Sequence, residues 1–392
     1  MPEILFFVKK NIYLTFYITP LLFFLYLCII KTLLNLLFML KIGIVGLPNV
    51  GKSTLFNALT KSKQANAQNF PFCTIEPNVG VVNVPDERLE KLAKISKSQK
   101  IIPTAIEFVD IAGLVAGASK GEGLGNKFLS HIREVDAIVQ VVRSFTDTEV
   151  IHVDNRVNPN DDADIVNLEL ILADSQSVEK QLTKIKKDAK GDSLKEAQKK
   201  IDLLEKILTN LLANRLANTL DYTLDELIIL KELHLLTMKP MLYVVNVDES
   251  MQEKIVFDRS SNTIRVCAKM EAELADLSDT EAKEYLQVAG LEESGLDKLI
   301  RTGYKMLNLV TYLTSGEPET RAWTVKQGAK APEAAGVIHT DFIKGFIKVD
   351  VVNWADFVEY GGWNKIKETG KMRLEGKDYE IRDGDVVYFH IK

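Results

Sequence analysis

The chain has 392 residues, of which 46% are hydrophobic and 26% are charged, and its formal net charge at pH 7 is −5. These values are ordinary for a globular protein of roughly two or three domains. The acidic balance excludes nucleic-acid binding through bulk positive charge, so any RNA contact must come from local patches. The cysteines Cys28, Cys73 and Cys267 are scattered without C-x-x-C spacing, which argues against a zinc site or a disulfide framework and fits a reducing cytosol.

The first segment, residues 1–38, is almost wholly apolar from Asn11 onward. A stretch of this kind favours insertion into a bilayer if it is synthesised. The soluble pattern starts immediately afterwards, at Met39 and Lys41, which leaves almost no linker before a strand expected to be buried. The leading interpretation is an over-extended start codon, and a genuine membrane anchor is the alternative.

Residues 46–53 form the motif G-x-x-x-x-G-K-S between a predicted strand, 41–45, and a predicted helix that begins with residues 54–59. A strand, a glycine-rich loop and a helix in that order are typical of a phosphate-binding loop, or P-loop. The loop N–H groups and the helix N-terminus bind phosphates. Lys52 is expected to reach the β- and γ-phosphates and the Ser53 hydroxyl to bind Mg²⁺. The alternative is a glycine-rich turn that binds nothing.

Two further segments predict the rest of a magnesium site. Thr74 lies in a loop about twenty residues past the P-loop, where a switch threonine completes the Mg²⁺ shell and senses the γ-phosphate. Residues 110–113 read D-x-x-G at the end of a predicted strand, 106–109. Asp110 is expected to hold Mg²⁺ through water, and the Gly113 amide to face the γ-phosphate.

The residue after Gly113 is Leu114, where Ras-like enzymes place a glutamine that orients the attacking water. Leucine cannot orient water, so hydrolysis is expected to be slow or to need another group or a partner. His131 is a candidate for a water-positioning role, and the alternative is a surface or packing histidine. The glycine-dense stretch 117–125 predicts a mobile switch loop.

The base-reading motif departs from the usual GTPase pattern. A predicted strand, 241–245, ends at Asn246-Val247-Asp248-Glu249, in the place of N-K-x-D. In N-K-x-D the aspartate accepts hydrogen bonds from guanine N1–H and the exocyclic amine, and the lysine packs over the base. Val247 and Glu249 replace these two residues, which relaxes the preference for guanine and admits ATP through Asn246 and the Val247 backbone.

The next predicted strand, 263–266, ends at Cys267-Ala268-Lys269, which matches the S-A-K loop that lines the base. The predicted nucleotide-binding residues are therefore Asn49, Val50, Gly51, Lys52, Ser53, Thr54, Asn246, Val247, Glu249, Ala268 and Lys269. The candidate catalytic residues are Lys52, Gly113 and His131, and the candidate metal ligands are Ser53, Thr74 and Asp110.

In combination, four segments resemble the YchF/Obg-like ATPase family: residues 48–54, 69–74, 110–115 and 246–249. The resemblance runs from Met39 to the C-terminus. It implies a cytoplasmic, ribosome-associated P-loop protein of the translation-factor class that prefers ATP over GTP. It also implies nucleotide contacts on 49–54 and Val247, and Mg²⁺ on Ser53 and Thr74. The family itself has an apolar residue at the position of Leu114.

Between the strands at 137–142 and 241–245, apolar residues from Asp164 onward recur at helical spacing. They predict an antiparallel helical hairpin over 164–239, with its tip near 191–193. The lysines near the tip are Lys184, Lys186, Lys187 and Lys190. They form either a solvated face or a contact for RNA or an acidic partner.

The C-terminal residues 307–392 carry short predicted strands at 321–325, 346–351 and 385–389 and a short helix within 331–339. This alternation predicts an α+β module. The segment resembles a TGS domain, a ubiquitin-like β-grasp that the family is described as using for ribosome or RNA contact. The alternative is a module that only packs on the ATPase core.

The sequence thus predicts an α/β P-loop NTPase with a Ras-like G domain and a mostly parallel sheet. Its two parts, 39–163 and 240–306, flank the hairpin at 164–239, and the β-grasp domain follows at 307–392. The predicted function is a Mg²⁺-dependent, ATP-hydrolysing switch that associates with the ribosome. The alternatives are an Obg-type GTPase of ribosome assembly or translation, a binding module whose nucleotide is structural, and a membrane-tethered NTPase.

Overall fold

Continuous apolar runs in the sequence become strands of two sheets, and amphipathic segments become the helices that cover them. The computed structural model describes residues 40–63, 78–111, 123–146, 157–188, 194–250, 257, 259 and 262–392. The strands are β1 (Lys41–Val45), β2 (Val79–Asn83), β3 (Ile101–Ile102), β4 (Ala105–Asp110), β5 (Ala137–Arg143), β6 (Met241–Asn246), β7 (Thr263–Val266), β8 (Leu309–Ser315), β9 (Thr320–Lys326), β10 (Phe346–Asn353), β11 (Arg373–Glu375) and β12 (Asp385–Ile391).

The α-helices lie between these strands in the usual alternation of an α/β protein. They are α1 (Lys52–Lys63), α2 (Glu87–Ser96), α3 (Gly123–Glu134), α4 (Pro159–Asp188), α5 (Leu194–Leu212), α6 (Leu224–Lys231), α7 (Ala268–Leu274), α8 (Asp279–Val288), α9 (Gly295–Met306), α10 (Ala331–Ile338), α11 (Asp341–Gly345), α12 (Trp354–Tyr360) and α13 (Trp363–Ile366). Short 3₁₀ helices lie at Ala217–Thr219 and Leu236–Met238.

The first sheet has the strand order β2-β4-β1-β5-β6-β7. All neighbouring strands are parallel except β2 and β4. Strands β5 and β6 are buried along their whole length, because helices cover both faces of such a sheet. The predicted α/β fold with a mostly parallel sheet is confirmed, and the P-loop follows the carboxyl end of β1.

Helix α4 belongs to two cores. Its first half buries Ala163, Val166 and Leu170 against the first sheet. Its second half buries Val178 and Leu182 against α5, in a separate apolar cluster. At 30 residues the helix is about 45 Å long, so it leaves the sheet and continues into the predicted helical hairpin without a break.

The hairpin tip predicted at 191–193 lies outside the described residues. Of the lysines near it, Lys186 forms an ion pair with Glu205 across the hairpin, with 2.7 Å between the two charged groups. Helix α4 begins at Pro159, before the predicted start at Asp164, because a proline fits the first turn and the Asn158 carboxamide oxygen accepts the following N–H groups.

The second sheet has the order β11-β10-β12-β8-β9-β3. Helix α10 packs on one face, around Tyr312 and Val349. Helices α2, α12 and α13 pack on the other face, around Leu313 and Phe357. The three strands and the short helix predicted in the C-terminal region are all present, within β9, β10, β12 and α10.

One segment joins this second sheet from far along the chain. Strand β3 pairs in parallel with β9, Ile101 opposite Thr320, and Leu89 and Leu92 of α2 lie in the apolar cluster of the C-terminal module. From the sequence alone, these residues are predicted to belong to the first part of the NTPase domain, 39–163. The domain boundaries stay a prediction, and residues 87–102 pack with the C-terminal module rather than with the first sheet.

The apolar segment 1–38 lies outside the described residues, so the structure bears on neither the start-codon interpretation nor the membrane anchor. Across the described ranges, no helix is both long and apolar enough to span a bilayer. The predicted site residues Thr74 and Gly113, together with Leu114, also lie outside those ranges.

Candidate nucleotide-binding site

The backbone of the P-loop turns where only glycine fits. Gly46 has φ +152°, and a Cβ there would lie 2.4 Å from the Val141 carbonyl oxygen. Gly51 has φ +97°, and a Cβ there would lie 2.2 Å from Nδ2 of Asn246. Both distances are far below a normal contact, so the two glycines let the loop lie against the carboxyl ends of β5 and β6.

Lys52 starts α1 and points into the loop. Its Nζ donates a 2.6 Å hydrogen bond to the Leu47 carbonyl, and only 7% of the residue is exposed. Burial lowers the pKa of Lys52, and the nearby Asp110 carboxylate opposes that shift. An ammonium held against the backbone of the P-loop is positioned to bind a polyphosphate. Asn49, Ser53 and Thr54 are exposed, whereas Val50 is buried.

Ser53 and Asp110 lie together at the carboxyl edge of the first sheet. The Ser53 hydroxyl donates to Oδ2 of Asp110 at 3.1 Å. Oδ1 of Asp110 is buried and has no hydrogen-bond partner among the described residues. A hydroxyl and an orphaned carboxylate oxygen are the hard ligands that Mg²⁺ prefers, so these residues fit the predicted metal. The third predicted ligand, Thr74, lies outside the described residues.

Asn246 joins the P-loop to the loop after β7. Its Nδ2 donates to the Val50 carbonyl at 3.0 Å, and its Oδ1 accepts from the Ala268 amide at 3.0 Å. The side chain is buried. The structure therefore brings the motif at 246–249 and the loop at 267–269 to the same edge as the phosphate-binding residues.

The two residues that depart from N-K-x-D behave differently. The Val247 amide donates to the Val266 carbonyl at 3.0 Å, so the expected backbone contact with a base cannot come from this amide. Glu249 is exposed and forms a 2.6 Å ion pair with Lys269. The hydrogen bond that the Lys269 ammonium donates to this carboxylate raises the pKa of Lys269. The carboxylate at the guanine-reading position is thus paired within the protein.

Helix α3 places His131 away from the P-loop. Helix α3 ends at Glu134, next to Asp136, whose carboxylate accepts a 2.8 Å hydrogen bond from the amide of Lys41. Lys41 is the first residue of β1, and the P-loop follows the opposite end of that strand. His131 lies exposed in the last turn of α3, toward the wrong edge of the sheet. The water-positioning role stays a prediction, and this position favours the alternative of a surface histidine.

Asn78 supports the candidate metal ligand Asp110, and no motif in the sequence predicts this role. Its carbonyl accepts the Asp110 amide at 2.8 Å, which fixes the backbone of the candidate metal ligand. Asn78 has φ +77°, an uncommon conformation for a residue other than glycine. An asparagine immediately before a strand is the only signal that the sequence offers for it.

Two family models match this chain. The model described as a 50S ribosome-binding GTPase matches residues 41–247. The model named YchF-GTPase_C, described as a protein of unknown function, matches residues 309–392. The matched ranges together contain the P-loop, the D-x-x-G aspartate, Asn246 and every strand of the second sheet.

Individual relatives match over nearly their full length. The chain is 52% identical over 358 residues to the ribosome-binding ATPase YchF of Haemophilus influenzae, a match that covers 89% of this chain and 98% of that protein. It is 51% identical over 362 residues to the protein of the same name from Bacillus subtilis, with the same coverage. The solved YchF GTPase of Schizosaccharomyces pombe is 39% identical, with a TM-score of 0.81 over 90% of this chain and 97% of that one. Such similarity in both sequence and fold shows that the chain belongs to the YchF family.

Proposed function

We propose that this protein is a Mg²⁺-dependent ATPase of the cytoplasm that acts as a nucleotide-controlled switch on the ribosome. The observation that carries the proposal is the convergence of Lys52, Ser53 and Asp110 at the mouth of the P-loop, with one carboxylate oxygen of Asp110 that has no partner in the part of the chain that the structure describes. Relatives named ribosome-binding ATPases support both the reaction and the partner.

The residues of the chain have separable roles in this reaction. The P-loop amides and the Lys52 ammonium bind the β- and γ-phosphates and stabilise the charge that develops as the γ-phosphoryl group moves to water. Ser53 would hold Mg²⁺ directly and Asp110 through water, as in other P-loop proteins. Bound Mg²⁺ would neutralise phosphate charge. The bond between the γ-phosphorus and the bridging oxygen breaks, which yields ADP and inorganic phosphate.

The rate of hydrolysis is expected to depend on a partner. Leu114 stands where a glutamine orients water in Ras-like enzymes, and His131 lies at the other edge of the sheet. The isolated protein should therefore hydrolyse ATP slowly. Ribosomes are the partner expected to stimulate turnover.

The choice of ATP over GTP rests on the motif at 246–249. Guanine presents N1–H and an exocyclic amine as hydrogen-bond donors, and a free carboxylate accepts both hydrogen bonds. In this structure the Glu249 carboxylate is paired with Lys269, and Val247 replaces the lysine that would pack over the base. A GTPase is the second candidate function, because the yeast relative and one family model carry that name.

Equilibrium competition between ATP and GTP tests this choice. We expect ATP to bind more tightly than GTP in the presence of Mg²⁺. The double variant Val247→Lys with Glu249→Asp restores N-K-x-D, and it should shift the preference toward GTP by on the order of tenfold or more. Displacement of ATP by GTP at an equal or lower concentration in the unaltered protein would show that the GTPase assignment is correct.

Cosedimentation with ribosomes tests the switch. Lys52→Ala should weaken Mg·ATP binding by roughly 10- to 150-fold, the loss expected for about 1.5–3 kcal/mol of charged hydrogen bonding. It should also remove the effect of ATP on ribosome association. If association is unchanged and only the melting temperature falls, the nucleotide is structural and the protein is a binding module.

A further inference from the structure

The candidate magnesium ligand stands at one end of a two-stranded ribbon. Strands β2 and β4 pair antiparallel, from Val79 opposite Val109 to Asn83 opposite Ala105. At the near end, the Asp110 amide donates to the Asn78 carbonyl. At the far end, the chain leaves the first sheet to form α2 and β3. We call β2 and β4 the magnesium ribbon.

What leaves the ribbon at its far end is built into the C-terminal module. The Thr320 amide donates to the Lys100 carbonyl at 2.9 Å, and the Gln99 amide donates to the Glu317 carbonyl at 3.0 Å. Leu92, with no exposed surface, packs in the same apolar cluster as Val386. Helix α2 and strand β3 are therefore packed as parts of that module.

Side chains reinforce this connection. Arg88 of α2 donates to both carboxylate oxygens of Asp86, at 2.8 and 2.7 Å, and to Asp383 of the C-terminal module at 2.7 Å. The other oxygen of Asp383 accepts the Thr311 amide at 3.0 Å. The arginine thus holds the exit of the ribbon to the loop before β12.

A group of four hydroxyls, which we call the hydroxyl seam, joins the second sheet to α9 and to the residue before β4. Tyr304 of α9 hydrogen bonds to Thr311 at 2.8 Å and to Thr324 at 3.0 Å. Thr324 also hydrogen bonds to Thr104, immediately before β4. Burial raises the pKa of Tyr304 to about 12, so its hydroxyl stays protonated and able to donate.

The segments that connect the magnesium ribbon to the C-terminal module are short. Three residues, 84–86, connect β2 to α2, and two residues, 103–104, connect β3 to β4. Val84 donates to the Thr104 carbonyl at 2.9 Å, which closes the ribbon at this end. These short connections therefore link the C-terminal module to β4, the strand that ends at Asp110.

We propose that the C-terminal module, residues 309–392, and the magnesium end of the nucleotide site form one energetic unit, joined by the magnesium ribbon and the hydroxyl seam. Mg·ATP then stabilises the C-terminal module, although no nucleotide touches it. By reciprocity, any partner that binds the module changes the affinity for Mg·ATP by the same factor as Mg·ATP changes the affinity for the partner. This inference rests on the proposed binding of Mg·ATP.

The positions of the tryptophans allow a direct test. Trp323, Trp354 and Trp363 are the only tryptophans of the 392-residue sequence, so tryptophan fluorescence reports on the C-terminal module alone. Far-ultraviolet circular dichroism reports on the whole chain. Thermal unfolding is followed by both probes, with and without Mg·ATP. The fluorescence is excited at the red edge of tryptophan absorption, where adenine does not absorb.

We expect Mg·ATP at about a hundredfold excess over its Kd to raise both transitions together, by on the order of 5 °C. A shift of the circular-dichroism transition with an unmoved tryptophan transition would overturn the inference while leaving the proposed function standing. If no probe shifts and direct titration shows no Mg·ATP binding, the proposed function fails. In that case the unfolding of the protein without ligand still tests the inference. Separate fluorescence and circular-dichroism transitions would overturn the proposal of one energetic unit, and coincident transitions would support it.

A matched pair of tyrosine variants locates the coupling. Tyr304→Phe removes the hydroxyl that crosses the seam. Tyr312→Phe removes a buried hydroxyl that bonds only within the module, to the Ala334 carbonyl at 2.8 Å. Both should lower the melting temperature. Only Tyr304→Phe should reduce the shift of the tryptophan transition caused by Mg·ATP, and equal reductions in the two variants would show that the seam does not carry the coupling.

Discussion

At the scale of the single residue, Asn246 explains why an asparagine opens the base-reading motif even before a base is bound. One carboxamide satisfies a P-loop carbonyl with its nitrogen and the Ala268 amide with its oxygen. No other side chain of this size offers a donor and an acceptor in a fixed arrangement. The residue therefore sets the distance between the phosphate-binding loop and the base-lining loop.

Replacing Asn246 with alanine should damage both stability and binding. The variant leaves the Val50 carbonyl and the Ala268 amide buried without partners, which costs about 2–4 kcal/mol of unfolding free energy. ATP affinity should fall as well, because the two loops lose their spacing. Denaturant unfolding and ATP titration measure the two effects. Asn210→Ala is the control, since Asn210 bonds to the Leu216 carbonyl within the hairpin and its loss should leave ATP affinity intact.

The buried ammonium of Lys52 predicts how ATP binding responds to pH. Burial lowers its pKa in the free protein, and the negative phosphates raise it in the complex. Binding therefore takes up protons, and affinity falls as the pH rises above the lowered free-protein pKa, by up to about tenfold per pH unit. Titrations of Kd from neutral to alkaline pH measure this slope. A Lys52→Arg variant that still binds should lack it, because arginine stays charged.

Much of the site could be predicted at this scale because its chemistry lies in short, local motifs. The P-loop fixes the places of Lys52 and Ser53, and the D-x-x-G motif fixes Asp110. The ion pair of Glu249 with Lys269 joins two loops that are distant in sequence, so no local pattern predicts it. The position of His131 in α3 also could not be predicted, because a helix in the sequence does not reveal which of its ends faces the ligand.

At the scale of the element, α4 transmits position over a long distance. Its first half is part of the core of the first sheet and its second half is part of the hairpin. Asp174, near the middle, accepts hydrogen bonds from the amides of Leu236 and Thr237 and from the Thr237 hydroxyl. These bonds hold α4 to the segment that leads into β6, the strand that ends at Asn246.

The substitution Asp174→Asn should loosen this junction. In the variant, the amide oxygen can still accept the hydrogen bond from the Leu236 amide. The amide nitrogen, itself a donor, then faces the two donors of Thr237 and cannot accept their hydrogen bonds. The expected loss is about 1–3 kcal/mol of unfolding free energy, measured by denaturant unfolding. Burial raises the pKa of Asp174, so the contribution of this group to stability is fully present below its unfolded pKa and is lost as the pH rises through its folded pKa. Asp202→Asn, on the exposed face of α5, should have almost no effect.

Helical periodicity predicted the existence of the hairpin but not the start of α4. Apolar spacing is clear from Ile165 onward, whereas the first turn is Pro159-Asn160-Asp161-Asp162. That turn is set by the fit of proline and by the Asn158 cap rather than by apolar contacts. Boundaries of this kind depend on local hydrogen bonds, which a periodic pattern does not contain.

At the scale of the whole molecule, the two sheets could be predicted separately but their connection could not. Strand β3 has two residues, and its partner in β9 lies more than two hundred residues later in the sequence. Two residues carry no periodicity. Helix α2 has a clear amphipathic pattern, but the pattern does not reveal that Leu89 and Leu92 pack against the C-terminal module instead of the first sheet.

This connection predicts the behaviour of a truncated protein. A chain that ends at Asn308 keeps every predicted nucleotide ligand but uncovers Leu89, Leu92 and Ile102, which are buried in the full chain. We expect it to aggregate, as judged by size-exclusion chromatography. Exchanging Leu89 and Leu92 for lysine and glutamate in the truncated chain should restore part of the solubility. A soluble, monodisperse truncated chain without those exchanges would contradict the prediction.

The pairing of β3 with β9 also constrains how the protein is made. During synthesis the P-loop, α2 and β3 emerge early, but the partner of β3 is added only after residue 320. Translation proceeds at about 5–20 residues per second, so the segment waits on the order of ten seconds or more with its leucines uncovered. The nascent chain therefore passes through a period in which an upstream part cannot finish folding, and chaperones that bind emerging apolar segments are expected to act there.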